Sequence, residues 1–253
     1  IAIALLTPGI AALIFSILKE SQILAFIGLS LTFWGALFLF IKPIKYVRGN
    51  LLDSAATSTY LTIDRIIRDL KFRGKSYYIP PYPKDIYLPE HLKGLKEMIV
   101  FISAATKPGM PSIEEMAKSR FLLENPDGIC ISPPGLGILE QIEKELGKDI
   151  TKIDLETLIE ILPSVITESL HLAKEIEIKK EKKGIYVRIE DPIYKNLYSK
   201  EQNLKSVHFL GCPLASAIAC AIAKTTGKIT AIRKNRVSPD AQTVEFWYNF
   251  VEA

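Results

Sequence analysis

Two uncharged, strongly apolar runs at the start of the chain constrain its structure more than any other feature. They cover residues 1–18 and 23–41, which are 18 and 19 residues long, and the polar residues 19–22 separate them. About 20 apolar residues in a helix cross the hydrocarbon core of a bilayer. Because the polar break has room only for a tight turn, the pattern predicts two antiparallel membrane-spanning helices, a transmembrane hairpin over residues 1–48.

Two other structures could share this apolar pattern. A cleaved signal peptide would show a basic start and a small-residue cleavage site, and residues 1–18 show neither. A buried core hairpin would be expected to carry some charge, and both runs carry none. The membrane hairpin is therefore favoured. Within the second run, Gly28 and Gly35 are seven residues apart on one helix face, which predicts a close seat for the first helix.

Basic residues next to the two runs predict the orientation of the hairpin. Lys42, Lys45 and Arg48 follow the second run, whereas the break between the runs contains only Lys19. Positively charged flanks stay on the cytoplasmic side of a membrane. We therefore expect a two-pass protein of the cell membrane whose later residues form a cytoplasmic domain, with Lys42, Lys45 and Arg48 at the membrane interface.

The overall composition argues against several classes of function. A net charge of +4 over 253 residues is too small to indicate nucleic-acid binding. Three cysteines and three histidines lack the paired spacing of a zinc site or a disulfide framework, so neither a metal nor another cofactor is expected. Abundant Ile, Lys and Glu with scarce Gln is typical of thermophile proteins.

Residues 49–150 are predicted to be a membrane-proximal α/β region. A helical stripe begins near residue 51, where Asp53 or Ser54 is a candidate N-cap. Buried strands are expected at residues 98–103 and 128–132. Three prolines within residues 76–83 predict an extended covering segment and argue against a central strand there.

A glycine-rich turn at residues 133–137 leads into a helix that ends near residue 146. Such a turn could cradle a phosphate with its backbone N–H groups. It lacks the full dinucleotide fingerprint, a Walker lysine and a downstream ribose-binding acid. A tight strand-to-helix turn is therefore the favoured interpretation.

The last hundred residues show two hairpins on either side of a small-residue helix. The first hairpin alternates apolar and charged residues around the turn Lys182-Lys183-Gly184, whose lysines are interleaved with glutamates and are interpreted as a solvated tip. Pro213 suits the first position of the helix and Gly227 its end. From Leu214 to Ala223 no residue is charged, which predicts burial on more than one side. The second hairpin is expected at residues 228–236 and 243–251.

This order of elements over residues 155–251 resembles the four-vinyl-reductase-like domain, which is related to small subunits of the TRAPP tethering complex. The resemblance rests on the alternating strand at residues 185–190, the Gly211-Cys212 helix and the closing hairpin that ends in Phe250-Val251. It implies a domain over residues 151–253 that binds a small molecule or tethers proteins, commonly as a dimer. Related domains often carry cysteines in the last hairpin, and this chain has none there. The whole chain also resembles an archaeal membrane-protein family.

Three polar residues near the small-residue helix are candidate ligand-binding residues: His208, Cys212 and Ser216. The dipole of the helix can lower the pKa of a thiol at its amino terminus, and His208 precedes Cys212 by four residues, so a Cys–His nucleophile is conceivable. Cysteine is also a common small buried residue, and packing is the favoured interpretation. No catalytic residue is assigned.

Together these patterns predict an α+β protein: a transmembrane hairpin, a mixed α/β region and a closing antiparallel hairpin–helix–hairpin domain. The expected function is a membrane-anchored cytoplasmic binding or scaffold protein for protein–protein assembly, with an apolar ligand pocket as a further expectation. Its expected partners are the lipid bilayer and a second copy or another membrane or cytoplasmic protein. The alternative is a membrane-associated enzyme that acts on a lipid or hydrophobic small molecule, which would require a pocket around His208, Cys212 and Ser216.

Overall fold

The chain forms two compact units, residues 1–47 and 48–253. A computed structural model describes residues 2–40, 49–72, 75–82, 96–105, 110–118, 120–182, 184–199 and 201–251. The predicted interface residues Lys42, Lys45 and Arg48 lie outside the described residues.

The first unit is a pair of helices, α1 (Ala2–Lys19) and α2 (Gln22–Phe40), both long and apolar enough to cross a membrane. Glycines let the two helices approach each other. A Cβ added to Gly28 would lie 2.8 Å from Leu13 Cγ, and one added to Gly35 would lie 2.7 Å from Leu6 Cγ. The prediction that Gly28 and Gly35 seat the first helix is therefore confirmed.

A third stretch, Ser206–Thr226, is also long and apolar enough to cross a membrane, with 21 residues. It is 89% buried inside the protein, compared with 11% for each helix of the first unit. This difference separates an apolar sequence that forms a core from one whose apolar side chains are left exposed.

The second unit is built on one antiparallel sheet of eight strands. The strands are β1 (Ser76–Ile79), β2 (Ile99–Ser103), β3 (Leu122–Glu124), β4 (Asp127–Ile131), β5 (Glu175–Glu181), β6 (Gly184–Glu190), β7 (Ile229–Val237) and β8 (Thr243–Val251). Their order in the sheet is β3-β4-β2-β1-β7-β8-β6-β5. Pairing of β1 with β7 joins strands from before and after residue 150, the predicted domain boundary, so this boundary falls within one sheet. The helices are α3 (Gly49–Asp69), α4 (Ile113–Ala117), α5 (Leu136–Leu146), α6 (Leu155–Ser164), α7 (Ser206–Leu210) and α8 (Pro213–Thr226).

Short-range signals set several of these boundaries. The Asp154 carboxylate accepts a hydrogen bond from the backbone N–H of Thr157 at 2.9 Å and caps α6. Gly227 adopts a left-handed conformation with φ of 65° directly after α8. Both hairpins form where the alternating patterns predict them, β5 with β6 and β7 with β8.

Two local predictions are wrong. The sequence pattern argues against a central strand near the prolines, but β1 lies between β2 and β7 because its four residues end at Ile79, just before Pro80. Because the prolines follow the strand, the hydrogen bonds between strands lose no backbone N–H group. The predicted cap at Asp53 or Ser54 is also wrong, because α3 begins at Gly49 and the Asp53 side chain instead binds Asn196.

Helix α8 forms the centre of the core on one side of the sheet, here called the inner face. Every residue from Pro213 to Ala223 is buried. The turn before α5 also approaches α8 closely: a Cβ on Gly135 would lie 2.7 Å from Ala217 Cα and would overlap the backbone nitrogen of Ala217. Small side chains on α8 and the absence of one at Gly135 therefore permit this contact. The α+β class is confirmed.

Candidate functional site

Four buried tyrosines surround the junction between α7 and α8. The hydroxyls of Tyr60, Tyr78 and Tyr248 donate hydrogen bonds to the carbonyls of Gly211 (2.5 Å), Leu210 (2.5 Å) and Ala215 (2.9 Å), respectively. The backbone N–H of Cys212 donates to the Tyr198 hydroxyl at 2.8 Å. Burial raises the pKa of all four phenols, which further favours the neutral, hydrogen-bonding form. The tyrosine hydroxyls thus pair with backbone groups at the junction between the two helices, and the tyrosine rings fill the interior around it.

The three predicted ligand-binding residues do not share one exposed pocket. Cys212 is 1% exposed, and burial raises the pKa of its thiol, which opposes the activation expected at a helix amino terminus. Ser216 is fully buried and its hydroxyl accepts the N–H of Gly135 at 3.0 Å. His208 is exposed on α7. The cavities described below are lined by other residues, and ligand binding by these three stays a prediction.

The hydrogen bond from Gly135 also bears on the phosphate interpretation of the glycine-rich turn. The N–H of Gly135 is already donated to Ser216, and the turn presses against the backbone of α8. This geometry agrees with the favoured interpretation, a tight strand-to-helix turn.

A cavity of about 620 Å³ lies beside an ion cluster at the end of α8. The ammonium group of Lys224, whose side chain is 9% exposed, lies 2.5 Å from Glu143 and 3.4 Å from Asp149. Glu143 also accepts the backbone N–H of Ile150 at 3.3 Å. These charges bind one another and join α5 to α8. Among the residues that the structure describes, no group of three metal-binding side chains was found.

The side of the sheet away from α8, the outer face, has two contrasting halves. On the half around β1 and β2, an apolar cluster is buried; it consists of Tyr77, Ile79, Phe101, Leu123 and Ala231. On β5, β6, β8 and the part of β7 from Lys234 onward, the outward side chains are half-buried or exposed, and we call this half the open face.

One line of side chains across the open face is aromatic in the middle and basic at its ends. Strand register aligns Lys179, Tyr186, Trp247 and Lys234 from β5 to β7, and we call this line the aromatic row. The Tyr186 and Trp247 rings have centroids 5.1 Å apart, and Lys234 Nζ lies 5.1 Å from the Trp247 ring centroid. These contacts hold a rigid aromatic platform at the surface.

The neighbouring line alternates in charge. Register aligns Glu177, Arg188, Glu245 and Arg236, which we call the charge row. Glu245 also accepts the Tyr186 hydroxyl at 2.7 Å, so the two rows are linked. Burial, and then Glu245, raises the pKa of Tyr186 to about 12, so this phenol loses its proton only at a more alkaline pH than a free tyrosine does. Cross-strand pairs of opposite charge stabilise a sheet modestly when they face water.

Sequence reasoning places Glu245 and Trp247 on one face of their strand but predicts neither row. Alternation along β8 predicts that Glu245, Trp247 and Asn249 share a face, as observed. The alignment of Arg188 with Glu245 requires β6 to pair with β8, and these strands are far apart in the chain. No local signal in the sequence specifies that pairing.

Comparison with known proteins gives one family match. A family model described as a domain of unknown function, DUF7982, matches residues 1–246, a span that includes both helices of the first unit and most of the second unit. Searches of the curated proteins and of the solved structures found no match.

Proposed function

The chain belongs to the DUF7982 family, and on that premise we propose that it is a two-pass membrane protein whose cytoplasmic domain is a scaffold. The scaffold self-associates through the open face. The observation that carries this proposal is the pair of aligned rows on a half of the sheet where the side chains are left half-buried or exposed.

Two features support the anchored position of the domain. Helices α1 and α2 have the length and apolarity of membrane spans. The basic residues Lys42, Lys45 and Arg48 follow α2 in sequence, and by the positive-inside rule they support a cytoplasmic location for the second unit.

The filled interior favours a function at the surface over one at a buried active site. Cys212 and Ser216 lie in close-packed core, and the surrounding hydroxyls are bound to backbone groups. The alternative, a membrane-associated enzyme, would need polar groups that converge on a substrate there. The resemblance to tethering-complex subunits, which itself stays a prediction, points toward assembly as well.

The charge row is complementary to a second copy of itself. Its signs alternate from β5 to β7 as negative, positive, negative, positive. A twofold axis parallel to the strands and between two stacked faces would set β5 of one copy opposite β7 of the other, and β6 opposite β8. Each carboxylate would then oppose an arginine: Glu177 opposes Arg236, and Glu245 opposes Arg188.

The same axis would set Tyr186 of one copy opposite Trp247 of the other, so the centre of the interface would be aromatic. Stacked sheets usually cross at about 30°, so pairs near the axis keep their alignment best. Arg188, Glu245, Tyr186 and Trp247 are those central residues. Lys179 and Lys234 would meet at the solvated rim, where salt screens their repulsion.

Charge exchange at the centre tests this proposal. The full chain, purified in detergent, is expected by light scattering to have twice the 28.3 kDa polypeptide mass of one chain. Arg188→Glu would place carboxylates opposite each other and weaken the dimer about tenfold or more. Glu245→Arg would do the same with arginines, and the double variant would restore the dimer.

Lys148→Glu, an equal change at an exposed residue outside the open face, is the control and should leave the mass unchanged. A wild-type chain that is monomeric at all concentrations would overturn the proposal. So would an Arg188→Glu variant that dimerises as tightly as the wild type.

A further inference from the structure

A second cavity, of about 570 Å³, lies where the start of α3 meets two loops of the later chain. Small-molecule sites typically have volumes of about 300–1,000 Å³. One loop follows α6 and contributes His171 and Lys174; the other follows β6 and contributes Asp191, Lys195 and Asn196. Neither the open face nor the tyrosines around α8 contribute to this cavity.

The Asp53 carboxylate distinguishes this cavity from an ordinary surface depression. Asp53 lines the cavity and is only 6% exposed. Its Oδ2 accepts a hydrogen bond from Asn196 Nδ2 at 2.5 Å, whereas its buried Oδ1 has no hydrogen-bond donor among the residues that the structure describes. Buried polar atoms in native proteins nearly always have partners, so such an atom calls for an explanation. Burial raises the pKa of this carboxyl, in line with its incomplete solvation.

The charges of the side chains that line the cavity indicate the net charge that a bound ligand can carry. Asp191 is bound to Lys195 at 2.6 Å, so these two charges offset each other. Lys174 is exposed and forms no ion pair with the described residues. A cationic ligand would meet Lys174 and Lys195, and an anionic one would meet Asp53 and Asp191. The balance favours a neutral ligand that carries hydrogen-bond donors.

The backbone of both loops adopts the left-handed conformation at the cavity. His171 and Asp191 have φ of 51° and 45°, and both residues line the cavity. Aspartate and histidine adopt this conformation more readily than most other residues that have a side chain. The His171 ring nitrogen Nδ1 lies 2.9 Å from the Thr167 carbonyl, which leaves the opposite ring nitrogen as a further hydrogen-bonding group.

We propose that this cavity binds a neutral polyhydroxyl compound, a sugar or cyclic polyol, with one ligand hydroxyl donating to the Asp53 carboxylate. The Asn196 amide has a second N–H and an oxygen for an adjacent hydroxyl. Lys174 at the rim donates to a ligand oxygen. The site is separate from the self-association surface.

The test uses the full chain in a polyoxyethylene detergent, which carries no sugar. Saturation-transfer NMR with myo-inositol, and separately with glucose, measures binding. We expect transfer to at least one probe, a Kd about tenfold to a hundredfold higher in Asp53→Asn, and no change in Asp69→Asn. The latter is the same substitution at an exposed position of the same helix.

Lys174→Met guards against a folding defect, because this exposed residue can be replaced without disturbing the core; it should raise the Kd several-fold. Absence of transfer to both probes would overturn the proposal, as would equal binding by the wild type and the folded Asp53→Asn variant. The Arg188→Glu variant should bind the probe normally, so this proposal and the scaffold proposal fail separately.

The ligand hydroxyls could belong to a free solute or to a lipid headgroup. Nanodiscs of phosphatidylcholine with and without phosphatidylinositol distinguish these sources. If the lipid is the source, phosphatidylinositol removes the free-inositol signal; if a free solute is the source, the signal is the same in both nanodiscs.

Discussion

Strand β8 contributes to two very different surfaces. On its inner side, Val244, Phe246 and Tyr248 are at most 1% exposed and belong to the main core. On its outer side, Glu245 and Trp247 are half-buried and contact side chains of neighbouring strands. Both sides have aromatic and polar groups, so residue type does not separate them. The difference is in the partners: helix backbone on the inside, and other surface side chains on the outside.

This contrast suggests a division of roles between the two sides. Inner polar groups such as the Tyr248 hydroxyl have a single backbone partner and no access to water. Losing such a partner leaves a buried group unsatisfied, which is costly. Outer groups such as Arg188 can exchange partners with water or with another protein at little cost. We therefore expect the inner side to determine stability and the outer side to determine association.

The largest expected effect is the difference in stability between alanine substitutions at two adjacent residues of β8. Phe246→Ala should lower the free energy of unfolding by about 3–5 kcal/mol, because it leaves a cavity in a close-packed core. Trp247→Ala should cost about 1 kcal/mol or less, since the ring is on the outer side, while it weakens the dimer. Urea unfolding and light scattering measure the two quantities. Equal losses of stability would contradict the division of roles.

The next effect concerns the contact of α5 with α8. Gly135→Ala should destabilise the protein by about 2–3 kcal/mol or more, because its Cβ would meet the backbone of Ala217. Gly137→Ala is the matched control two residues later. Among the described residues, no atom beyond its own stretch of helix lies within 4 Å of a Cβ there, and alanine favours the helix, so stability should rise by about 0.5–1 kcal/mol. Thermal unfolding measures the stability of both variants. If Gly135→Ala is as stable as the wild type, the turn can move away from α8.

The smallest expected effect is the difference in stability between removing a tyrosine hydroxyl from the core and removing one from the open face. Tyr60→Phe removes the donor to the buried carbonyl of Gly211 and should cost about 1–2 kcal/mol. Tyr186→Phe removes a bond to Glu245 on the open face and should cost about 0.5 kcal/mol or less, because water can replace it. The measurement is the urea midpoint of each variant. A larger loss at Tyr186 would indicate that the open face contributes to stability after all.

The elements with strong local signals could be predicted from the sequence. Pro213 and Gly227 bracket α8 because one fits the first helical turn and the other adopts the left-handed conformation after it. Alternation along the two hairpins predicts their pairing because the strands of each are joined by short turns. The close contact of α1 with Gly28 and Gly35 could be predicted because residues seven apart lie on the same face of a helix.

The predictions that failed concern residues whose structure depends on distant partners. Asp53 has the chemistry of a helix cap, yet it lies within α3, which begins at Gly49, and its carboxylate accepts a hydrogen bond from Asn196, 143 residues away. The prolines after β1 argue against a central strand, but they follow the last paired residue. Neither outcome is visible within a short window of sequence.

Local patterns in the amino-acid sequence are enough to predict the two apolar helices, the ends of α8, the two hairpins and the burial of the small-residue helix on more than one side. Each depends on helical or strand periodicity, on caps and on turns, which act over a few residues. The pairing of β6 with β8, which aligns Arg188 with Glu245, and the contact of Asp53 with Asn196 beside a cavity depend on how distant segments pack in three dimensions. Such contacts arise from the packing of the whole core, because loop closure between distant segments is favourable only when many contacts form together.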